Sequence, residues 1–300
     1  MSASPKDFVY APTKNFDADA CFAALSKEMK KKVKAIFTAA EKGEKKAPAN
    51  VAKIAAFDAD GTLWGADVGE KAFTQAAEKG PLNWDLIKEP IAAFADKYGV
   101  KISDDKDEAM AKLVEAYEMG HFVHAGRGKG MDPRDVDLDV YSMQAWLYAG
   151  SSAKERRDYG ERLMEEGIFD RTFPETRALV TGLKQRGFQC IVISASEKEL
   201  VKAGARSVGF EEGDIYGMEL KKDDDGKATI ELERATYGAG KVDVMKQVFK
   251  ARPLITVGDS VLGGDRDLFE IAPIRVAVRP KAGAYREAAE AAKFLILEGE

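Results

Sequence analysis

Between residues 170 and 280, short apolar runs alternate with stretches of helical period, and this rhythm admits few architectures. The reading is helix 174–186, strand 188–194, helix 197–207, a hairpin around Asp223–Gly226, helix 241–250, strand 253–257, helix 264–270 and strand 274–278. Strands separated by helices of this length pair in parallel through right-handed crossovers. One earlier run, Val51 to Phe57, has the same β-like character but is cut off from the others by a block that reads as almost wholly helical. Within that block helices are expected at 70–79, 84–98, 104–119, 138–149 and 152–166, broken by Gly80-Pro81, Gly99 and a loop from Gly120 to Pro133. The expected organisation is an α/β core from residues 1–65 and 170–300, with a helical insertion over 66–169. One amphipathic helix over 17–42, carrying Phe22, Leu25, Met29, Val33, Ile36 and Phe37, is expected to pack on that core.

Open α/β sheets bind ligands beyond the carboxyl ends of their strands, so the residues just past 57, 193 and 257 are expected to converge. The first are Asp58-Ala59-Asp60-Gly61-Thr62, two carboxylates two residues apart on one side of an extended chain. A carboxylate can attack phosphorus covalently, and a second carboxyl group can donate a proton to the leaving oxygen. An isolated pair of this kind also serves ordinary turns through local hydrogen bonds. The second strand ends in Ser194-Ala195-Ser196, where Ser194 can meet a phosphoryl oxygen while Ser196, with Glu199 three residues on, reads as a helix N-cap. Lys241, opening a helix after Gly238-Ala239-Gly240, calls for a nearby anion. The third strand ends at Gly258-Asp259, and Asp259 with Asp58 suits Mg²⁺, a hard cation that takes carboxylate oxygens. Two like charges 4 Å apart repel by about 4 kcal/mol at an effective dielectric near 20, so acids alone would not admit a phosphate dianion.

Composition narrows the alternatives. Lys and Arg number 46 against 51 Asp and Glu, and the net charge of -5 provides no overall field for nucleic acid. Cys21 and Cys190 support neither a disulfide framework nor a cysteine-rich zinc site, which suits a cytoplasmic location. No stretch approaches the roughly 18 apolar residues of a membrane span. His121 and His124 fall in the expected glycine-rich loop without further ligands beside them, and read as polar loop residues. Arg127 and Lys129 in the same loop are candidate contacts to an anionic leaving group, or else simply solvated. Trp64, Trp84, Tyr141, Trp146 and Tyr148 read as core, with an aromatic cage for a quaternary amine as the alternative.

Taken together, the Asp58, Ser194, Lys241 and Asp259 segments resemble, in this order, the phosphatase branch of the haloacid dehalogenase superfamily over about residues 51–280. The resemblance implies a Rossmann-like three-layer core with a parallel sheet and an inserted α-helical cap. It implies Asp58 as nucleophile and Asp60 as general acid/base, with Mg²⁺ held by Asp58, Asp259 and the Asp60 carbonyl. It places the phosphoryl group against Ser194 and Lys241, with Ala195, Gly61 and Thr62 beside them. Asp265 is the candidate second acid, although Gly263 and Gly264 stand where that acid is expected. The stretch Leu63 to Glu70, bearing Asp67 and Glu70, is similar to that of phosphoserine phosphatase-like proteins and makes those two acids candidates for specificity. The implied activity is Mg²⁺-dependent hydrolysis of a small phosphorylated metabolite through an aspartyl-phosphate. A phosphotransferase, a phosphocholine-type phosphatase or a non-catalytic phospholigand-binding protein are the alternatives. Nothing in the sequence fixes an oligomeric state.

Overall fold

The computed structural model describes residues 18–167 and 172–299. Seven strands form one sheet: β1 Val51–Phe57, β2 Gln189–Glu197, β3 Ile215–Lys222, β4 Ala228–Arg234, β5 Arg252–Gly258, β6 Ile274–Val278 and β7 Leu295–Leu297. Their order is β4-β3-β2-β1-β5-β6-β7, parallel throughout except for the antiparallel β3–β4 hairpin. The last four residues of β1 are all buried, as a central strand covered on both faces requires. Ala55 and Phe57 meet Ile36, Phe37, Leu179 and Leu183 of helices Lys27–Glu44 and Pro174–Gln185. Ile54 and Ala56, on the opposite face, meet Val244, Met245 and Leu268. The result is a three-layer α/β architecture. Helix Pro174–Gln185 approaches its neighbour so closely that a Cβ on Gly182 would lie 2.2 Å from Phe37 Cζ, leaving room there for glycine alone.

Neighbouring β1, β2 and β5 leave the sheet in the same direction, and the chain order reverses between β2 and β5 on either side of β1. A crevice opens at such a point. Phe57 pairs with Val192 and with Val257, so the residues after all three begin at one level.

Between β1 and helix Pro174–Gln185 lie helices Val68–Thr74, Ala76–Lys79, Trp84–Lys97, Lys106–Glu118, His121–Gly128, Pro133–Trp146 and Ala153–Glu165. The excursion leaves and returns at one place: Phe173 N–H donates to the Leu63 carbonyl at 2.9 Å, and Trp64 bridges Thr172. A buried pair joins it to β2, with Arg156 Nε on Glu197 Oε1 at 2.8 Å, and Arg134 bonds Asp267 across another edge. Among the described residues no helix is long and apolar enough to cross a membrane.

Several expected elements differ. The helix expected over 17–42 is two helices, Ala18–Ala23 and Lys27–Glu44, because Ser26 breaks the run and caps the second by accepting Met29 N–H at 3.2 Å; residue 17 lies outside the described residues. The loop expected from Gly120 to Pro133 contains helix His121–Gly128, entered through Gly120 at φ 65°. Strand β2 runs to Glu197 instead of stopping at Ser194. Strand β7, too short to show alternation, has no sequence signal.

Candidate active site

Asp58 leaves β1 with its N–H on the Val257 carbonyl at 2.8 Å, after which the chain turns over Ala59 to Trp64. Gly61 makes this turn at φ 75°, and a Cβ there would stand 2.6 Å from Asp259 Oδ2, so both conformation and space require glycine. Lys241 Nζ donates to Asp58 Oδ1 at 2.5 Å and to Asp265 Oδ1 at 2.6 Å, and Thr62 Oγ1 donates to Asp58 Oδ2 at 3.1 Å. Asp265 Oδ2 accepts Ser260 N–H at 3.0 Å. Asp58, Asp259 and Asp265 each offer one oxygen, all within 4.8 Å of one another. The Asp60 carboxylate lies outside that group. Asp265 thus lies beside Asp58 and Asp259 despite its distance along the chain. Thr62 holds the Asp58 carboxylate.

Three acids around one ammonium leave this corner short of positive charge. Burial, then Asp265, pushes the Asp58 carboxyl up to about 7 against the opposing pull of Lys241. Burial, then Asp58 and Asp265, likewise holds Asp259 well above the carboxylate range. For Lys241, burial works against the charged form, yet Asp265 and Asp58 outweigh it and hold the ammonium above its ordinary value. An all-oxygen carboxylate set with unneutralised charge fits a hard divalent cation.

Asp60 faces the same cavity from the other side. Its Oδ1 accepts Trp64 Nε1–H at 2.7 Å and Val68 N–H at 2.9 Å, and its Oδ2 accepts Ser196 Oγ–H at 2.7 Å. Burial, then Asp67 and Asp58, holds its carboxyl well above the usual range, as a proton donor requires. Ser196 is consequently not the helix cap. Glu197 takes that place, accepting the N–H groups of Glu199 at 2.8 Å and Leu200 at 3.1 Å. The signal for Ser196 was its spacing, since residues two apart on an extending strand share a face with Ser194. Ser194 is fully buried, with its carbonyl accepting Thr236 Oγ1 at 2.5 Å and its hydroxyl accepting Ser196 N–H at 3.1 Å.

A cavity of about 460 Å³ joins these groups to the helical excursion, and Gly61, Ala195 and Lys241 line it with the acids. Asp67, Glu70, Tyr117, Phe122, Tyr141 and Tyr237 also line it. Asp67 caps helix Val68–Thr74 through Glu70 N–H at 2.8 Å and accepts Tyr141 Oη–H at 3.2 Å. Tyr141 stacks on Tyr237 with ring centres 5.4 Å apart, and Tyr117 Oη–H points to Glu70 Oε2 at 3.4 Å. Burial raises the carboxyls of both Asp67 and Glu70.

Arg127 and Lys129 do not line this cavity. The segment is helical, so Phe122 turns inward while Arg127 is exposed and Lys129 bonds the Lys97 carbonyl. Of the five aromatics read from the sequence, Tyr141 alone reaches the cavity; Trp64 is spent on Asp60 and Trp84 Nε1 donates to the Asp104 carbonyl at 3.2 Å. Trp146 and Tyr148 lie outside its lining, as do His121, whose Nε2 sits 3.0 Å from the Tyr98 carbonyl, and His124. Sequence reasoning missed Tyr117, Phe122, Tyr237, Lys281 and Tyr285, all in the wall. Lys281 was reachable, because it lies a few residues past the carboxyl end of β6, on the same side of the sheet as the end of β1.

A family model described as haloacid dehalogenase-like hydrolase matches residues 55–268. Among solved structures, a protein with unknown function from Bordetella pertussis Tohama I is similar, at 21% identity over 81% of this chain and 97% of that one, with a TM-score of 0.58. A conserved functionally unknown protein from Anaerococcus prevotii DSM 20548 shares 17% identity over 86% and 88% of the two chains, with a TM-score of 0.57. A phosphoserine phosphohydrolase-like protein from Francisella tularensis subsp. tularensis SCHU S4 gives 19% identity, coverage of 82% and 94%, and a TM-score of 0.45. No curated protein matches the chain.

Proposed function

Because the chain belongs to the haloacid dehalogenase-like hydrolases, we propose that it is a phosphatase that cleaves small phosphate monoesters through an aspartyl-phosphate on Asp58. The observation that carries this reading is one ammonium, Lys241, held between Asp58 and Asp265, with the Asp60 carboxyl facing the same cavity. Asp58 attacks phosphorus, Asp60 gives its proton to the departing alcohol, and Asp60 then takes a proton from the water that releases phosphate. Lys241 and the Ser194 hydroxyl hold the phosphoryl oxygens, with Gly61 and Ala195 bounding their space. Asp58, Asp259 and Asp265, with the Asp60 carbonyl, would hold Mg²⁺, which supplies the positive charge that lets acids accept a phosphate dianion. Residues 66–169 act as a cap that keeps bulk water from the intermediate.

Binding of Mg²⁺ has a testable pH dependence. Asp58 and Asp259 bind protons more tightly when folded than unfolded, so the stability they contribute is complete below their unfolded values and is lost as pH rises, through about 7 for Asp58. Above that pH the ionised acids repel, and a divalent cation removes the repulsion. Thermal unfolding in chelator and in millimolar Mg²⁺ is therefore expected to show a larger Mg²⁺ stabilisation at pH 8 than at pH 5. Equal shifts at both pH values, or none, would remove these carboxylates as the metal site.

The acids and aromatic rings of the lining support a reading of the alcohol as well. Asp67 and Glu70 stand beside Tyr117, Phe122 and Tyr141, and the lysines Lys241 and Lys281 are the only cations among the described residues that line the whole cavity. Carboxylates with aromatic faces suit an amine or quaternary ammonium group on the leaving alcohol. Phosphate release from phosphocholine, phosphoethanolamine and phosphoserine is expected to exceed that from glycerol and sugar phosphates, and Glu70→Gln is expected to narrow the difference by about tenfold. Preference for neutral alcohols would overturn the amine assignment, and release from no ester at all would overturn the phosphatase.

A further inference from the structure

The two oxygens of Asp60 are held by different kinds of donor. Oδ1 accepts two N–H groups, Trp64 Nε1 at 2.7 Å and Val68 N at 2.9 Å. Neither group can turn into an acceptor, so a proton on Oδ1 would confront two hydrogens. Oδ2 has hydroxyl neighbours, Ser196 Oγ at 2.7 Å and Ser194 Oγ farther off at 3.5 Å. A hydroxyl can rotate between donating and accepting. Ser196 is 2% exposed, and its N–H also holds Ser194 Oγ at 3.1 Å, so one residue orders both the acid and the adjoining hydroxyl.

We infer that Ser196 is a positioning residue that directs the transferable proton of Asp60 to Oδ2 and keeps that oxygen aimed at the leaving group. The inference rests on the phosphatase reading. In the first half-reaction an Asp58 oxygen bonds to phosphorus as the bond from phosphorus to the alcohol oxygen breaks. The bonding pair departs with that oxygen, which takes the proton from Asp60 Oδ2, and Ser196 donates to the carboxylate left behind. In the second, water adds to phosphorus and gives a proton to Oδ2, while the bond between phosphorus and Asp58 breaks to free phosphate.

The test compares two esters in Mg²⁺, one with an alkyl alcohol that needs a proton to leave and dinitrophenyl phosphate, whose phenolate does not. Ser196→Ala is expected to lower kcat/KM for the alkyl ester by on the order of tenfold or more, with a change of less than about threefold on the dinitrophenyl ester. Ser196→Thr, which keeps the hydroxyl, is expected to restore the alkyl reaction. Equal losses on both esters, or no loss on the alkyl one, would overturn the inference. Wild-type protein that releases phosphate from neither ester would instead overturn the phosphatase reading. Should Ser196→Ala fail to fold, Ser196→Cys, close in volume and a weaker donor, is expected to show the same selectivity in smaller measure.

Discussion

Asp58→Asn is expected to lower phosphate release by on the order of 10⁴-fold or more, as loss of a covalent nucleophile does elsewhere, while the protein stays folded. The two halves of this expectation have separate causes. An amide oxygen keeps the shape of the carboxylate and can still accept from Lys241, but it is a poor nucleophile and forms no acyl phosphate. The fold does not depend on the charge, because Asp58 is buried against Asp265 and its carboxyl is pushed up to about 7. Replacing it with a neutral group removes a like-charge repulsion, and Lys241 keeps Asp265 as its partner at 2.6 Å. Thermal unfolding in chelator above pH 7 is therefore expected at the wild-type temperature or above it. Steady-state kinetics beside unfolding will check both halves. Activity within tenfold of wild type would mean that water attacks phosphorus directly and Asp58 only assists.

Lys241→Met is expected to remove activity and, unlike Asp58→Asn, to destabilise the chain. The ammonium is buried with its two partners, its side chain 2% exposed against 10% for Asp58 and 2% for Asp265. Taking one member from a buried ionic group leaves uncompensated charge and costs about 3–5 kcal/mol. The sign of the pH dependence follows. The Asp58 carboxyl binds its proton more tightly in the folded state, so acid restores stability and the deficit widens as pH rises through its raised value. Denaturant unfolding at pH 5 and pH 8 is expected to show the smaller deficit at pH 5. Adding Asp265→Asn to Lys241→Met should recover part of the loss at pH 8. A pH-independent deficit would point to lost packing of the lysine stem as the cause.

Much of the sheet was legible because its strands are buried on both faces and so read as unbroken apolar runs between helices. The acids at the ends of β1 and β5 were legible for the same reason, since a strand end is visible where the apolar run stops. Ser196 resembles a helix cap in sequence because β2 continues past its last aliphatic residue, where no apolar run marks the strand. Glycines suggested a loop around Arg127 and Lys129, whereas Gly126 and Gly128 sit inside a helix, and both cations are exposed, as the solvated reading expects. Asp265 could be ranked only weakly from spacing, and it took the bond from Lys241 to show where the intervening glycines bring it. The walls contributed by Tyr117, Phe122 and Tyr237 had no local signature at all. They come from three separate segments, and only the packing of the excursion over the sheet makes them neighbours.

The excursion between Trp64 and Thr172 departs and rejoins at adjacent hydrogen-bonded residues. Closing a chain segment on itself costs little more as it lengthens, roughly 0.6 kcal/mol for each doubling of a flexible loop. Beyond these two ends, the segment is tied to the rest of the chain by a few contacts, among them the buried Arg156–Glu197 pair and the Arg134–Asp267 pair. Such a segment can be exchanged without changing the register of β1 with β2 or β5, provided that Glu197 keeps a cationic partner. A chimera that exchanges residues 66–169 as a block has a better prospect of folding than one that cuts anywhere within β2 or β5.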